Sequence, residues 1–200
     1  MPLLAISLVR QNVESPPVIL SSESDLTSFG RMFRGGAADT IKFSAREVVK
    51  RMKPATRYTV HEDRWVVYAY LRSDNLGAVV VADQAYPSRA AFAVTYKVLE
   101  VFSTAVPKST WMSSSSDFSV PFPPLKGLLS RFQDPAKADQ CTAIMSTIED
   151  TKHVLLDSID KLLQRGEQLD KLVEDSADLS MSTRMFYKRA KKHDRCCVMM

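Results

Sequence analysis

The 200-residue sequence predicts an α+β fold: a five-stranded, antiparallel-rich sheet with flanking helices, followed by one long coiled-coil helix. Three observations predict it. The first 106 residues hold short apolar or alternating runs bounded by turn residues, with two stretches of helical period among them. A segment rich in serine and proline follows. Beyond Pro135 there is no proline, and apolar residues recur every seven positions.

Leu3–Val9 is a nearly continuous apolar run, as expected of a strand covered on both faces. Ser15-Pro16-Pro17 separates it from a short second strand at Val18–Leu20. Ile41, Ala45, Val48, Val49 and Met52 then share one face of a helix. Three more strands, Arg57–Glu62, Trp65–Arg72 and Leu76–Ala82, are joined by short turns and form an antiparallel meander. A second helix runs from Pro87-Ser88 to Pro107 with Ala91, Val94, Val98, Val101, Phe102 and Ala105 on one face. The order strand, strand, helix, three strands, helix is not the alternation of a doubly wound fold.

The chain thus divides into a domain core over 1–106, a linker over 107–137 with a short helix at Leu125–Phe132, a coiled-coil segment over 138–192 and a tail over 193–200. In the coiled-coil segment, Cys141, Ile148, Leu155, Leu162, Leu169, Ser176, Thr183 and Ala190 fall seven apart. Ile144, Thr151, Ser158, Arg165, Leu172, Leu179 and Phe186 form the companion series. Together they make an a/d seam of about seven heptads, in which Thr151, Ser158, Ser176 and Thr183 are weak, polar layers.

Arg165 occupies the centre of that seam between Leu162 and Leu169. Facing copies of itself, it would bury uncompensated charge at a cost of at least several kcal/mol. Partner chains with uncharged acceptors, such as glutamine carbonyls, would suit its five donors. The alternative is an arginine exposed on an imperfect seam.

The stretch Leu162-Leu163-Gln164-Arg165-Gly166-Glu167-Gln168-Leu169-Asp170-Lys171-Leu172 resembles the central-layer region of an R-SNARE, the synaptobrevin-like class. Val81-Ala82-Asp83, Tyr86-Pro87-Ser88-Arg89 and Ala91-Phe92 look like the end of the last strand and the start of the second helix of a longin domain, a profilin-like fold. With its Cys-Cys-aliphatic-Met-Met tail, the chain is similar to the lipid-anchored longin R-SNAREs of Golgi, endosomal and vacuolar or lysosomal traffic. The resemblance implies that Arg165 meets three glutamines, one from each of three partner SNARE helices, in a parallel four-helix bundle. Ile144, Ile148, Leu155, Leu162, Leu169, Leu172, Leu179 and Phe186 would be its apolar layers. It also implies a fusion protein, cytoplasmic and peripheral on the cytosolic face of those membranes.

The last four residues, Cys197-Val198-Met199-Met200, match a C-a-a-X box that favours farnesylation of Cys197 by a prenyl transferase, although Met199 is untypical. A single chain holds a protein on membrane lipids only reversibly, at about 0.8 kcal/mol per buried methylene. Palmitoylation of Cys196 would supply a second anchor. Lys188, Arg189, Lys191, Lys192 and Arg195 would add attraction to anionic headgroups, unless they simply complement a helix end. A metal site is the weaker reading of the cysteine pair, because Cys141 is distant and His61 and His153 stand alone.

Phe43 points about 180° from the Ile41/Ala45/Val48 stripe. In longin domains this region forms a groove that receives the SNARE segment, and Phe43 looks like the matching autoinhibitory contact. Alternatively, Ser44-Ala45-Arg46-Glu47 is a capping box and Phe43 its staple residue. The serine- and proline-rich linker is expected to supply the slack for the chain to turn back.

Net charge is only +4, with the basic residues gathered at the C-terminus, so no nucleic-acid partner is expected. No apolar run reaches the roughly 18 residues of a membrane span, and Leu3–Val9 lacks a signal peptide's basic flank. The six glycines form no phosphate cradle, and no catalytic residue or cofactor is expected beyond the covalent lipids. The rival readings are an S-acyltransferase, for which no residue identifies a site, and a coiled-coil tether or adaptor.

Overall fold

The computed structural model describes residues 2–12, 14–62, 64–139, 151–163, 167–185 and 187. Inside the sheet lie the largely apolar strands β1 (Leu3–Arg10) and β5 (Leu76–Ala82), antiparallel to one another. β2 (Val18–Ser24) flanks β1, while β4 (Val66–Leu71) and β3 (Thr56–His61) continue the sheet beyond β5, all antiparallel. The alternation is regular. Leu76, Ala78, Val80 and Ala82 of β5 face one core, and Val79 and Val81 face the other. In β1 the sides exchange near Leu3 and Leu4, where an irregularity between Leu3 and Ala5 shifts the register with β5.

Helix α1 (Arg34–Arg51) covers one face of the sheet and α2 (Ser88–Ala105) the other. The predicted stripe Ile41, Ala45, Val48, Val49 and Met52 is buried as expected. α1 stops where Lys53-Pro54 disfavours further helix, and α2 is set between Pro87 and Pro107. α1 begins ten residues before Ser44, which is therefore a buried mid-helix residue. The capping-box reading of Ser44–Glu47 is overturned, and with it the staple role of Phe43.

The linker expected over 107–137 is instead part of the domain. α3 (Lys108–Met112) buries Trp111, and α4 (Pro124–Arg131) buries Leu125 and Leu129. Between them the chain forms a strap along β2: the Phe118 and Val120 amides donate to the Ile19 and Leu20 carbonyls at 2.7 and 3.4 Å. Arg10 donates to the Met112 and Ser114 carbonyls, and the Tyr86 hydroxyl donates to the Phe132 carbonyl at 2.8 Å. Burial of Trp111, Val120, Phe122 and Phe132, about 1.5–3 kcal/mol for each large apolar side chain, offsets the entropy of ordering the serine-rich chain between them. A last short helix, α5 (Pro135–Asp139), packs on α2.

A sixth strand comes from the heptad segment. β6 (Lys152–Leu156) adds to the free edge of β3 in parallel, giving the order β2-β1-β5-β4-β3-β6. In this single chain the described part of the segment is not the continuous helix that its heptads predict. After β6 come a 3-10 turn at Ile159–Leu162, α6 (Leu169–Asp175) and a helical turn at residues 181–185. The reason lies in the stripe itself: an amphipathic helix without partner helices must bury its apolar residues on whatever surface is at hand.

Candidate functional site

That surface is the second face of α1. Phe43, Glu47 and Arg51 stand four residues apart and so share a side of the helix. Opposite them lie Ile159, Leu162, Leu163, Leu169 and Leu172, and the groove between closes without room for a water molecule. Phe43 is fully buried, and its ring meets that of Tyr187 edge to face, centroids 6.1 Å apart.

The groove takes in much of the predicted seam. Leu169 and Leu179 are buried, Leu162 and Leu172 are half-buried, and Leu155 on β6 remains exposed. Ile159 and Val173, which lie off the seam, are buried with them. The segment therefore presents a mixed face to the domain rather than its a/d stripe alone. Arg165, Ile144, Ile148, Phe186, Cys196 and Cys197 lie outside the described residues.

Polar seam residues find partners on both helices, Thr183 on α1 and Thr151 on α2 across the sheet. The Thr151 hydroxyl shares a hydrogen bond of 2.9 Å with the Tyr96 hydroxyl, and Thr183 donates to Asp39. On β6, His153 Nε2 shares a 2.9 Å hydrogen bond with Thr59, and its ring meets Phe92 edge to face. The Arg57 guanidinium lies 5.3 Å from the centroid of the same Phe92 ring. Burial, and then the charge of Arg57, hold the His153 pKa below its ordinary value.

Two arginines of α1 reach the segment. Arg51 pairs with Glu47 one turn before it and, at 3.1 Å, with Glu167. Arg46 pairs with Asp178 and also with Asp117 of the strap. Burial works against the Arg46 charge, but hydrogen bonds to the two carboxylates and their negative charge outweigh it and raise its pKa. Sequence reasoning missed Arg46, Asp178, Arg51 and Glu167, because nothing local marks pairs so distant in the chain. Among the described residues no group of His, Cys, Asp or Glu is arranged to hold a metal, and no helix is long and apolar enough to cross a membrane.

Two family models and several known proteins match the sequence. Residues 26–142 match the model of the longin family, a regulated-SNARE-like domain, and residues 140–199 match that of the synaptobrevin family. The chain is 39% identical over 201 residues to a Yarrowia lipolytica protein named synaptobrevin homolog YKT6, covering 100% of both. It is 41% identical over 186 residues to the VAMP-like protein YKT61 of Arabidopsis thaliana, covering 93% of this chain and 92% of that one. It is 37% identical over 198 residues to synaptobrevin homolog ykt6 of Schizosaccharomyces pombe, covering 99% of each.

Proposed function

Because the chain belongs to the family of longin-domain synaptobrevin homologues, R-SNARE proteins of membrane trafficking and not enzymes, we propose that its C-terminal segment alternates between two partners. In the closed state it lies on its own α1. In the open state it pairs with three glutamine SNARE helices, and Arg165 donates to their glutamine carbonyls at the central layer. Farnesyl on Cys197 and palmitoyl on Cys196 hold the protein on the cytosolic face of Golgi, endosomal or vacuolar membranes. The observation that carries this reading is the burial of Ile159, Leu169, Val173 and Leu179 in one core with Phe43. The seam residues Leu169 and Leu179 cannot serve both surfaces at once, so closure inhibits assembly.

Mixing the purified full chain with three glutamine SNARE helices tests the function. An SDS-resistant complex is expected, forming faster when the groove is disrupted. Arg165→Leu should weaken it by about 1–3 kcal/mol through orphaned glutamine groups, and Arg165→Gln by less. Complexes of undiminished stability with both variants would overturn the central-layer role. A tether would bind partners without forming such a complex at all.

A further inference from the structure

Three distant parts of the chain converge on one guanidinium. Arg46 Nε and Nη2 donate to the two carboxylate oxygens of Asp178 at 2.6 and 2.9 Å, the forked geometry of a bidentate pair. Nη2 also donates to Asp117 Oδ2 at 2.6 Å, and Nη1 donates to the Pro17 carbonyl just before β2. Asp117 is held in turn by the Ile19 amide, 2.9 Å away. The Arg46 and Asp178 side chains are only 15% and 11% exposed, against 35% for Asp117.

The charges are unequal, one cation between two carboxylates, and the inequality has a direction. If Asp178 leaves with the C-terminal segment, Arg46 keeps Asp117 and the Pro17 carbonyl, so no buried cation is stranded on the domain. Asp178 meanwhile returns to water. Departure thus forgoes a charge-assisted, bidentate contact without the much larger cost of an orphaned charge. Asp117 and Pro17 also keep the guanidinium aimed while the segment is away, which lowers the entropy lost on re-closure. Arg51 also sits between two carboxylates, but its standing partner Glu47 belongs to its own helix, and its partner on the segment, Glu167, is 33% exposed against 11% for Asp178.

We infer that Arg46 is a reversible ionic latch of the closed state: Asp178 is the bolt it releases and Asp117 the standing partner that keeps it set. The inference rests on the closed state proposed above. It makes closure sensitive to ionic strength, which burial of leucines alone would not.

Hydrogen exchange on the full chain tests it, read separately over 169–185 and over the central strands β1 and β5. Asp178→Asn is expected to raise exchange over 169–185 by about ten- to thirtyfold and to leave β1 and β5 unchanged. Added salt should speed exchange of the parent more than that of Asp178→Asn. Combining Asp178→Asn with Arg46→Gln should open the segment less than the two single effects added together. Parent-like exchange in Asp178→Asn, while Leu179→Ser opens the segment, would overturn the latch and leave the closed state standing. Exchange of the parent over 169–185 at the rate of an unfolded peptide would instead overturn the closed state, and the latch with it.

Discussion

Thr183 donates from its hydroxyl to Asp39 Oδ2 at 3.0 Å, so a seam residue poorly suited to an apolar bundle layer is satisfied inside the single chain. The Thr151 hydroxyl is likewise satisfied, sharing a hydrogen bond with the Tyr96 hydroxyl. Residues that would be weak polar layers of the proposed bundle are thus satisfied in the folded-back state.

Thr183→Val should shift the balance between the folded-back state and the bundle. It keeps the shape, removes the buried hydroxyl and leaves Asp39 with the Ser180 amide at 3.3 Å. The closed state should lose about 0.5–1.5 kcal/mol, while a bundle gains an apolar layer. Exchange over 181–185 and the melting temperature of the partner complex report the two effects. Slower exchange with a less stable complex would contradict the trade.

Phe43→Glu places a charge in a groove with no room for water. Closure should be lost by several kcal/mol, with exchange rising across 159–185. Because Phe43 lies within α1, exchange over 34–51 is the control. Loosening confined to α1 would show that the residue supports only its own helix.

His153 makes docking of β6 pH-dependent. Its pKa is held below 6.5 in the docked strand, and undocking restores the ordinary value. The undocked state therefore binds the proton more tightly. Docking is at full strength well above 6.5 and weakens as the pH falls through 6.5 toward the lowered value. Amide protection of residues 152–156, corrected for intrinsic rates, should fall between about pH 7.5 and 5.5. His153→Gln should remove the dependence, and an unchanged pH profile in that variant would assign it elsewhere.

The two tail cysteines should act in sequence. Cys197→Ser should abolish stable membrane association, since prenylation comes first. Cys196→Ser should leave a single chain that binds and dissociates readily. Fractionation that finds Cys197→Ser firmly on membranes would refute the order.

The strands and the two long helices were legible from residue order, because periods of two and of three to four are local properties of the chain. The strap was not. Ser113–Ser116 and the prolines near it read as a linker, although Trp111, Val120 and Phe122 carried the contrary signal of side chains that need a core. The site was half legible: Phe43 stood off the α1 stripe on phasing alone, and its partners did not. An apolar seam states that a face must be buried without stating what buries it. That Lys152–Leu156 becomes a strand on β3, or that Arg46 meets a carboxylate 132 residues away, was decided only by the tertiary structure. The free edge of β3 and the second face of α1 exist only after the domain has folded, and they take the segment that no partner helix yet holds.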